Sequence, residues 1–294
     1  MGENIIINKY RSGLGNQMFQ YAFGLNLEKR GKTVIADTLW YKNENRLQRE
    51  FWLEDIFAIK LYRDEKIVEK FNACYADRRI GTKVLNRLFP STCKIYFEAN
   101  PFLYDERALK TNKKIVYGFW QSYRYVQNVS EKIRRDFIFT NDLPLQLQEV
   151  RKNIENCNAV FIHLRGGDYI DDAANRKLYG NICTPNYYNK AVSMMKSRLD
   201  EPVFYVFTND RKYAQSILGK NEVNYISDYI GTTYEDWIDM MLMSKCKHAI
   251  IANSTFSWWG AWLMENKKKV VIAPKKWMNN WRDTDICEPD WIRL

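Results

Sequence analysis

The run Ile5-Ile6-Ile7-Asn8-Lys9-Tyr10-Arg11-Ser12-Gly13-Leu14-Gly15-Asn16-Gln17-Met18-Phe19-Gln20-Tyr21-Ala22 begins β-branched, passes through a glycine-containing turn and ends apolar at three- and four-residue spacing. The short isoleucine run reads as a strand. Gln17 to Arg30 reads as a helix, with Met18, Tyr21, Ala22 and Leu25 on one face. Gly31 fits the end of that helix, and Thr33-Val34-Ile35-Ala36 reads as the next strand. Strand, tight turn, helix and strand within the first 36 residues predict a βαβ unit.

The same pattern resumes downstream. Lys114 to Trp120 reads as a strand and Val129 to Phe137 as a helix, while the segment from about Leu39 to Phe102 is aromatic, charged and mostly helical in pattern. Leu143-Pro144-Leu145 and the polar helix after it suggest a domain boundary, so that 1–150 and 151–294 are two domains. In the second, Ala159–Leu164, Pro202–Phe207, His248–Ala252 and Lys269–Pro274 read as strands, the last of these closing the sheet. Helices over Pro185–Leu199, Tyr234–Lys245 and Phe256–Glu265 alternate with them. Such alternation predicts parallel sheets covered on both faces, with a cleft between the two domains.

Composition narrows the function classes. The 294 residues are 46% hydrophobic and 27% charged, a globular balance, with no apolar run of membrane-spanning length. The N-terminus lacks the pattern of a signal peptide, which predicts a cytoplasmic protein. The net charge of +10 is tilted forward, with 25 basic and 18 acidic side chains in residues 1–150 against 20 and 17 in the rest. Arg78, Arg79, Lys83 and Arg87 would suit contact with an anionic membrane surface, or simply a solvated face. Six scattered cysteines without a CxxC pair and only two histidines predict buried thiols and no structural zinc.

Three clusters lie just after strands, where open α/β sheets bind ligands. Gly13, Gly15, Asn16 and Gln17 form a turn whose backbone N–H groups could approach a phosphate at a helix N-terminus. The turn matches neither a GxGxxG fingerprint nor a P-loop. His163-Leu-Arg165-Gly-Gly-Asp168-Tyr169 delivers a permanently charged fork of donors suited to a diphosphate, with a carboxylate that could hold it or accept a proton. Asn253-Ser254-Thr255-Phe256-Ser257 places hydroxyls and an amide at the start of a helix, suited to capping or to an anion. Trp258, Trp259 and Trp262 read as core packing, and Asp210 as a helix N-cap. Asp239, on the preceding helix, could accept the paired N–H donors of a guanine.

Together these segments resemble glycosyltransferase family 11, the α-1,2-fucosyltransferases, and within it the bacterial members. The resemblance rests on Ser12–Ala22, Gly118-Phe-Trp-Gln-Ser-Tyr123, His163–Tyr169 and Ala252–Trp262, spread over nearly the whole chain. It implies a GT-B fold, two Rossmann-like domains with parallel sheets facing a cleft. The N-terminal domain would mainly bind the acceptor and the C-terminal one would hold GDP-β-L-fucose. It also implies inversion at the anomeric carbon, no metal, and no cofactor beyond the donor. Carried onto this chain, Arg165 would contact the diphosphate, His163 and Asp239 would face the guanine, and Ser254 and Thr255 would lie near the phosphates. One departure stands out: Gly166 replaces the second arginine of the family's His-x-Arg-Arg-Gly-Asp motif, which leaves room for another GDP-sugar.

The mechanism expected on this basis is attack of an acceptor hydroxyl on C1 of fucose. Arg165, amides of Gly13–Asn16 and the Ser254–Ser257 turn would stabilise charge on the departing diphosphate, and Asp168 is the candidate base. A galactose-terminated precursor of a surface glycan, such as lipopolysaccharide O-antigen built at the cytoplasmic face of the inner membrane, is the acceptor the bacterial resemblance suggests. The competing readings are a GT-B transferase using another GDP-sugar, a basic nucleic-acid-binding protein, and a lectin-like protein. No recognisable nucleic-acid module supports the second of these.

Overall fold

The computed structural model describes residues 4–42, 50–76, 94–166, 173–219, 222–229, 235–281 and 284–294. They form two compact units, Met1–Thr140 and Asn141–Leu294. The boundary therefore falls at 140/141 and not at 150/151. The reason is the helix Leu145–Asn156, whose apolar side chains Leu147, Val150 and Ile154 are buried within the second unit.

The first unit holds four strands, β1 (Ile5–Lys9), β2 (Thr33–Asp37), β3 (Ile95–Phe97) and β4 (Ile115–Tyr117), in the order β2-β1-β4-β3. Every pairing is parallel, with Ile7 opposite Ile35 on one side and Ile115 on the other. Strand alternation separates two faces. Ile6, Val34 and Val116 pack with Phe23, Leu27, Trp120 and Tyr125, while Ile7, Ile35, Ile95 and Ile115 pack with Val68 of the helix Glu65–Ala76. The first helix runs from Leu14 to Glu28, so it starts directly at the glycine turn. Gly31, at φ +78°, turns the chain back to β2 as its position suggested. Strand β3 lies inside the segment that read as helical, because its three residues are too few to show a period. The basic stretch Arg78–Arg87 lies outside the described residues.

The second unit holds β5 (Asn158–Leu164), β6 (Pro202–Thr208), β7 (Asn224–Tyr225), β8 (His248–Ile250), β9 (Val271–Ala273) and β10 (Ile292–Arg293). Their order, β10-β9-β8-β5-β6-β7, is all-parallel. Read from the other edge, this is the 3-2-1-4-5-6 order of a Rossmann sheet. Val160, Ile162 and Leu164 of β5 pack under the helix Pro185–Arg198 through Tyr188, Ala191, Val192 and Met195. That helix starts as its sequence dictates: the Thr184 hydroxyl accepts the Tyr187 N–H and Pro185 occupies the first turn. The strand at Val271–Ala273 is not the last, since β10 adds to its outer side.

The second sheet reverses its winding once, between β5 and β8, whereas in the first the chain steps out to β2, crosses to β3 and returns to β4. The carboxyl ends flanking such a single reversal are where doubly wound sheets bind ligands.

Candidate functional site

In the second unit, two of the sequence clusters meet at that reversal. His163, next to last in β5, lies on the face opposite Val160, Ile162 and Leu164, paired with Phe207 of β6. The turn after β8 carries Asn253–Ser257 into the helix Thr255–Leu263. The two ends touch through the rings of His163 and Phe256, whose centroids are 5.8 Å apart. His163 is buried, its backbone oxygen accepts the Tyr188 hydroxyl at 3.0 Å, and its Nδ1 has no hydrogen-bond partner among the described residues. Burial pushes its pKa down to about 3, and the nearby positive charge of Arg165 pushes the same way. The imidazole is therefore neutral at physiological pH.

Arg165 follows on the half-buried turn, and Gly166 donates its N–H to Asn209 Oδ1 at 2.9 Å, which ties the ends of β5 and β6 together. Gly166 has a packing reason to lack a side chain. A Cβ there would sit 2.8 Å from Asp210 Cβ and 3.2 Å from the Tyr213 ring. Asp210 is itself held as the N-cap of the helix Arg211–Leu218, accepting the Tyr213 N–H at 2.9 Å, as its position suggested. The space beside the motif's second position is thus filled by the start of the helix that follows β6. Asp168 lies outside the described residues.

The hydroxyl turn divides into side chains bonded within the fold and side chains without such a bond among the described residues, Ser254 among the latter although it is buried. Asn253 donates to Tyr179 O and Trp277 O and accepts the Cys183 thiol, so its amide fixes the turn. Ser257 is buried and donates back to Ala252 O and Ser254 O. Ser254 occupies the N-cap position, but its side chain makes no capping bond. Thr255 and Phe256 are half-buried in the first helical turn. Ser254 and Thr255 are therefore the hydroxyls placed to meet a ligand, next to backbone N–H groups that a helix leaves unbonded at its start. Asp239 is half-buried in the first turn of the helix Asp236–Lys245. A helix that returns to the start of β8 begins at the carboxyl edge of the sheet, which puts Asp239 on the same edge as His163 and Ser254. The three tryptophans are core: Trp258 donates to Ile286 O and Trp262 to Glu288 Oε1, pinning the C-terminal segment.

In the first unit the other glycine turn lies at the carboxyl end of β1, beside β4. Gly13 is an extended N-cap without a side-chain acceptor, and Gly15 follows in the first helical turn. Gln17 is consumed by the fold, donating to Ser12 O and Glu50 O and accepting the Trp52 N–H. Asn16 is half-buried and links the chain beyond β1 to the chain beyond β4: Nδ2 donates to Ser12 Oγ, and Oδ1 accepts Gln121 Nε2 at 2.6 Å. Ser12 itself has φ +71°, a conformation that glycine would adopt freely. Arg11 stacks between the rings of Tyr117 and Phe119 and donates to the Tyr117 hydroxyl.

Sequence reading passed over Glu98, just beyond β3. Its half-buried carboxyl accepts the N–H groups of Phe119 and Trp120, and burial raises its pKa to about 8 against the pull of those two bonds and of Arg11. No motif announces it, because it sits alone after a three-residue strand. Among the described residues no helix is long and apolar enough to cross a membrane.

Comparison with known proteins agrees with this architecture. The chain is 34% identical over 300 residues to an alpha-1,2-colitosyltransferase of Escherichia coli, covering 99% of each. It is 30% identical to the O-antigen biosynthesis glycosyltransferase WbnK of Escherichia coli, over 96% of this chain and 98% of that one. It is 27% identical to human galactoside alpha-(1,2)-fucosyltransferase 1, over 60% of this chain and 51% of the other. Among solved structures, NodZ alpha-1,6-fucosyltransferase co-crystallized with GDP superposes with a TM-score of 0.54 at 14% identity, covering 88% of this chain and 92% of that one. The fold is of the α/β, GT-B class, with two Rossmann-like units built on parallel sheets. The family model for glycosyl transferase family 11 matches residues 5–294, and the chain belongs to that family of glycosyltransferases.

Proposed function

We propose that this glycosyltransferase moves L-fucose from GDP-β-L-fucose to the 2-hydroxyl of a galactoside, inverting the anomeric centre without a metal. The observation that carries the reading is the convergence of His163, Arg165 and the Ser254–Thr255 turn at the winding reversal of the second sheet. It joins a cation, hydroxyls and a helix start, the chemistry a nucleoside diphosphate requires.

The second unit is assigned to the donor and the first to the acceptor. His163, neutral and packed on Phe256, supplies an uncharged wall for the base, and Asp239 supplies the acceptor pair for guanine N1–H and N2–H₂. Arg165, Ser254 and Thr255 take the diphosphate. The acceptor oxygen attacks C1 from the face opposite the nucleotide. The C1–O bond breaks with its electron pair passing to the β-phosphate, where Arg165 and the turn amides stabilise the growing charge. The acceptor proton passes to Asp168, a role read from the sequence alone. In the first unit, Asn16 orients the acceptor hydroxyls or the sugar, and Gly13, Gly15 and Gln17 hold the turn that carries it.

A second donor has a specific observation behind it: the 34% identical relative is named for colitose, which is L-fucose without the 3-hydroxyl. The relatives named for O-antigen biosynthesis and for galactosides support a galactose-ended glycan precursor as the acceptor. An encounter at the cytoplasmic face of the membrane is part of the proposal and rests on the sequence resemblance. The test is release of GDP from GDP-fucose in EDTA, with lactose or N-acetyllactosamine and with no acceptor, repeated with GDP-colitose. Acceptor-dependent release from GDP-fucose supports the reading. Release only from GDP-colitose moves the donor, and release that needs added metal removes the metal-free mechanism.

A further inference from the structure

We propose that Glu98 is a positioning residue for transfer, acting through the loop Gly118–Gln121 to hold the side-chain amide of Asn16 in place. The proposal rests on the reading above that the first unit receives the acceptor.

The loop is a strained piece of chain clamped at its turn by a single carboxylate. Leaving β4, the backbone passes through Trp120 at φ +58°, a region that costs a non-glycine residue on the order of 1 kcal/mol or more. Glu98 holds it there with both carboxyl oxygens: Oε2 accepts the Phe119 N–H at 2.6 Å and Oε1 accepts the Trp120 N–H at 2.7 Å. The approach is so close that a Cβ on Gly118 would fall 2.7 Å from Glu98 Cβ and 2.8 Å from Oε2. Gly118 is thus required by the clamp, which explains why Gly-Phe-Trp-Gln opens this segment. Gln20 Nε2 adds a bond to Gly118 O at 3.2 Å.

The turn enforced at Trp120 has two consequences. The indole is driven into the core, parallel to Phe23 with centroids 3.8 Å apart. The next residue, Gln121, is aimed the other way. Its backbone N–H is fixed on Pro101 O at 2.8 Å, and its side chain donates to Asn16 Oδ1 at 2.6 Å. With Oδ1 engaged there and Nδ2 donating to Ser12 Oγ, the Asn16 amide has one orientation. A chain of hydrogen bonds therefore runs from Glu98 through the loop after β4 to the turn after β1. Loss of the clamp lets the loop relax, frees Gln121 and leaves Asn16 to rotate. A displacement near 1 Å at an orienting group can cost about 10²-fold in rate.

The experiment compares wild type with Glu98→Gln, Gln121→Leu and the double variant, in transfer from GDP-fucose to lactose and N-acetyllactosamine. GDP binding is measured by calorimetry, and the Asn16 side-chain amide by ¹⁵N NMR. Glu98→Gln keeps the shape but turns an N–H donor toward one of the two backbone N–H groups. The expected result is a loss of about 10–100-fold in kcat/KM for the acceptor, a shifted Asn16 amide signal and unchanged GDP affinity. The double variant should lose no more than the worse single one, since both break one path. Wild-type acceptor kinetics together with an unmoved Asn16 signal in Glu98→Gln overturn the proposal, as do multiplicative losses in the double variant. If Glu98→Gln does not fold, Gln121→Leu alone decides: it keeps the clamp and cuts the last link, and wild-type kinetics in it are contradictory. A wild type inactive on both galactosides would overturn the acceptor reading instead, and the Asn16 signal would still test the path from Glu98.

Discussion

A Cβ on Gly166 would stand 2.8 Å from the Cβ of Asp210, so the first residue after Arg165 is closed to any side chain while Asp210 caps its helix. The atom in the way is the root of a side chain fixed by its own backbone, and it cannot swing aside cheaply. Gly166→Ala should therefore lower stability by about 1–3 kcal/mol, the usual cost of overpacking. Gly166→Arg, which restores the family motif's second arginine, should cost at least as much. Asp210→Gly weakens the cap by only a few tenths of a kcal/mol and removes the closer obstruction, leaving the Tyr213 ring, so Gly166→Ala in that background should cost clearly less than in wild type. Urea unfolding of the four variants gives the cycle.

Arg165 should dominate the chemistry of the second unit. Arg165→Ala is expected to lower kcat by about 10²–10³-fold, the cost of removing one preorganised donor from developing charge. Arg165→Lys should recover little, because an ammonium lacks the fork that meets two phosphate oxygens. Steady-state rates with calorimetric GDP affinities separate loss of the transition state from loss of binding. Asp168→Asn should abolish transfer with GDP binding intact, and near-normal turnover would remove Asp168 as the base.

His163 should shape the acid limb of stability. Burial holds its pKa at about 3 in the fold, against an ordinary value near 6.5 in the unfolded chain. Between these values the unfolded chain binds the extra proton, so this contribution is complete above about pH 6.5 and is lost as pH falls towards 3. The slope is about 1.4 kcal/mol per pH unit from this one group. His163→Phe removes the titration and fills the same space beside Phe256 and Phe207. Its unfolding free energy, followed from pH 7 to pH 4, should fall less steeply than that of wild type.

Asn253 should behave as a staple. Its amide satisfies Tyr179 O and Trp277 O and receives the Cys183 thiol, and Asn279 fastens the same segment through Lys177 O and Gly180 O. Asn253→Ala leaves buried carbonyls unpaired and should cost about 1–3 kcal/mol in a thermal or urea melt. A cost near zero would show that the turn keeps its shape without that amide.

Much of this arrangement is legible in the sequence for a physical reason. Buried parallel strands are continuous apolar runs, so Ala159–Leu164 and Pro202–Phe207 announce themselves, and the turns after them carry the charged and hydroxyl residues. What stays hidden is short or solitary. Strands β3, β7 and β10 span three, two and two residues and carry no period. Glu98 looks like any surface acid until the chain brings Phe119 and Trp120 to it. Gln17 and Asn253 look like ligand contacts because they belong to ligand-type turns, whereas their amides are spent on neighbouring carbonyls. The domain boundary also misleads: a polar helix invites a cut, while its three buried side chains attach it to the second unit.

The most direct test of the account is the structure of the product. The enzyme is supplied with GDP-β-L-fucose labelled with ¹³C at C1 and with lactose in EDTA, and the trisaccharide is examined by NMR. The account predicts an α-anomeric signal with long-range coupling to C2 of galactose. A β-anomer, a bond to any other galactose oxygen, or no product from GDP-fucose while GDP-colitose is consumed would contradict it.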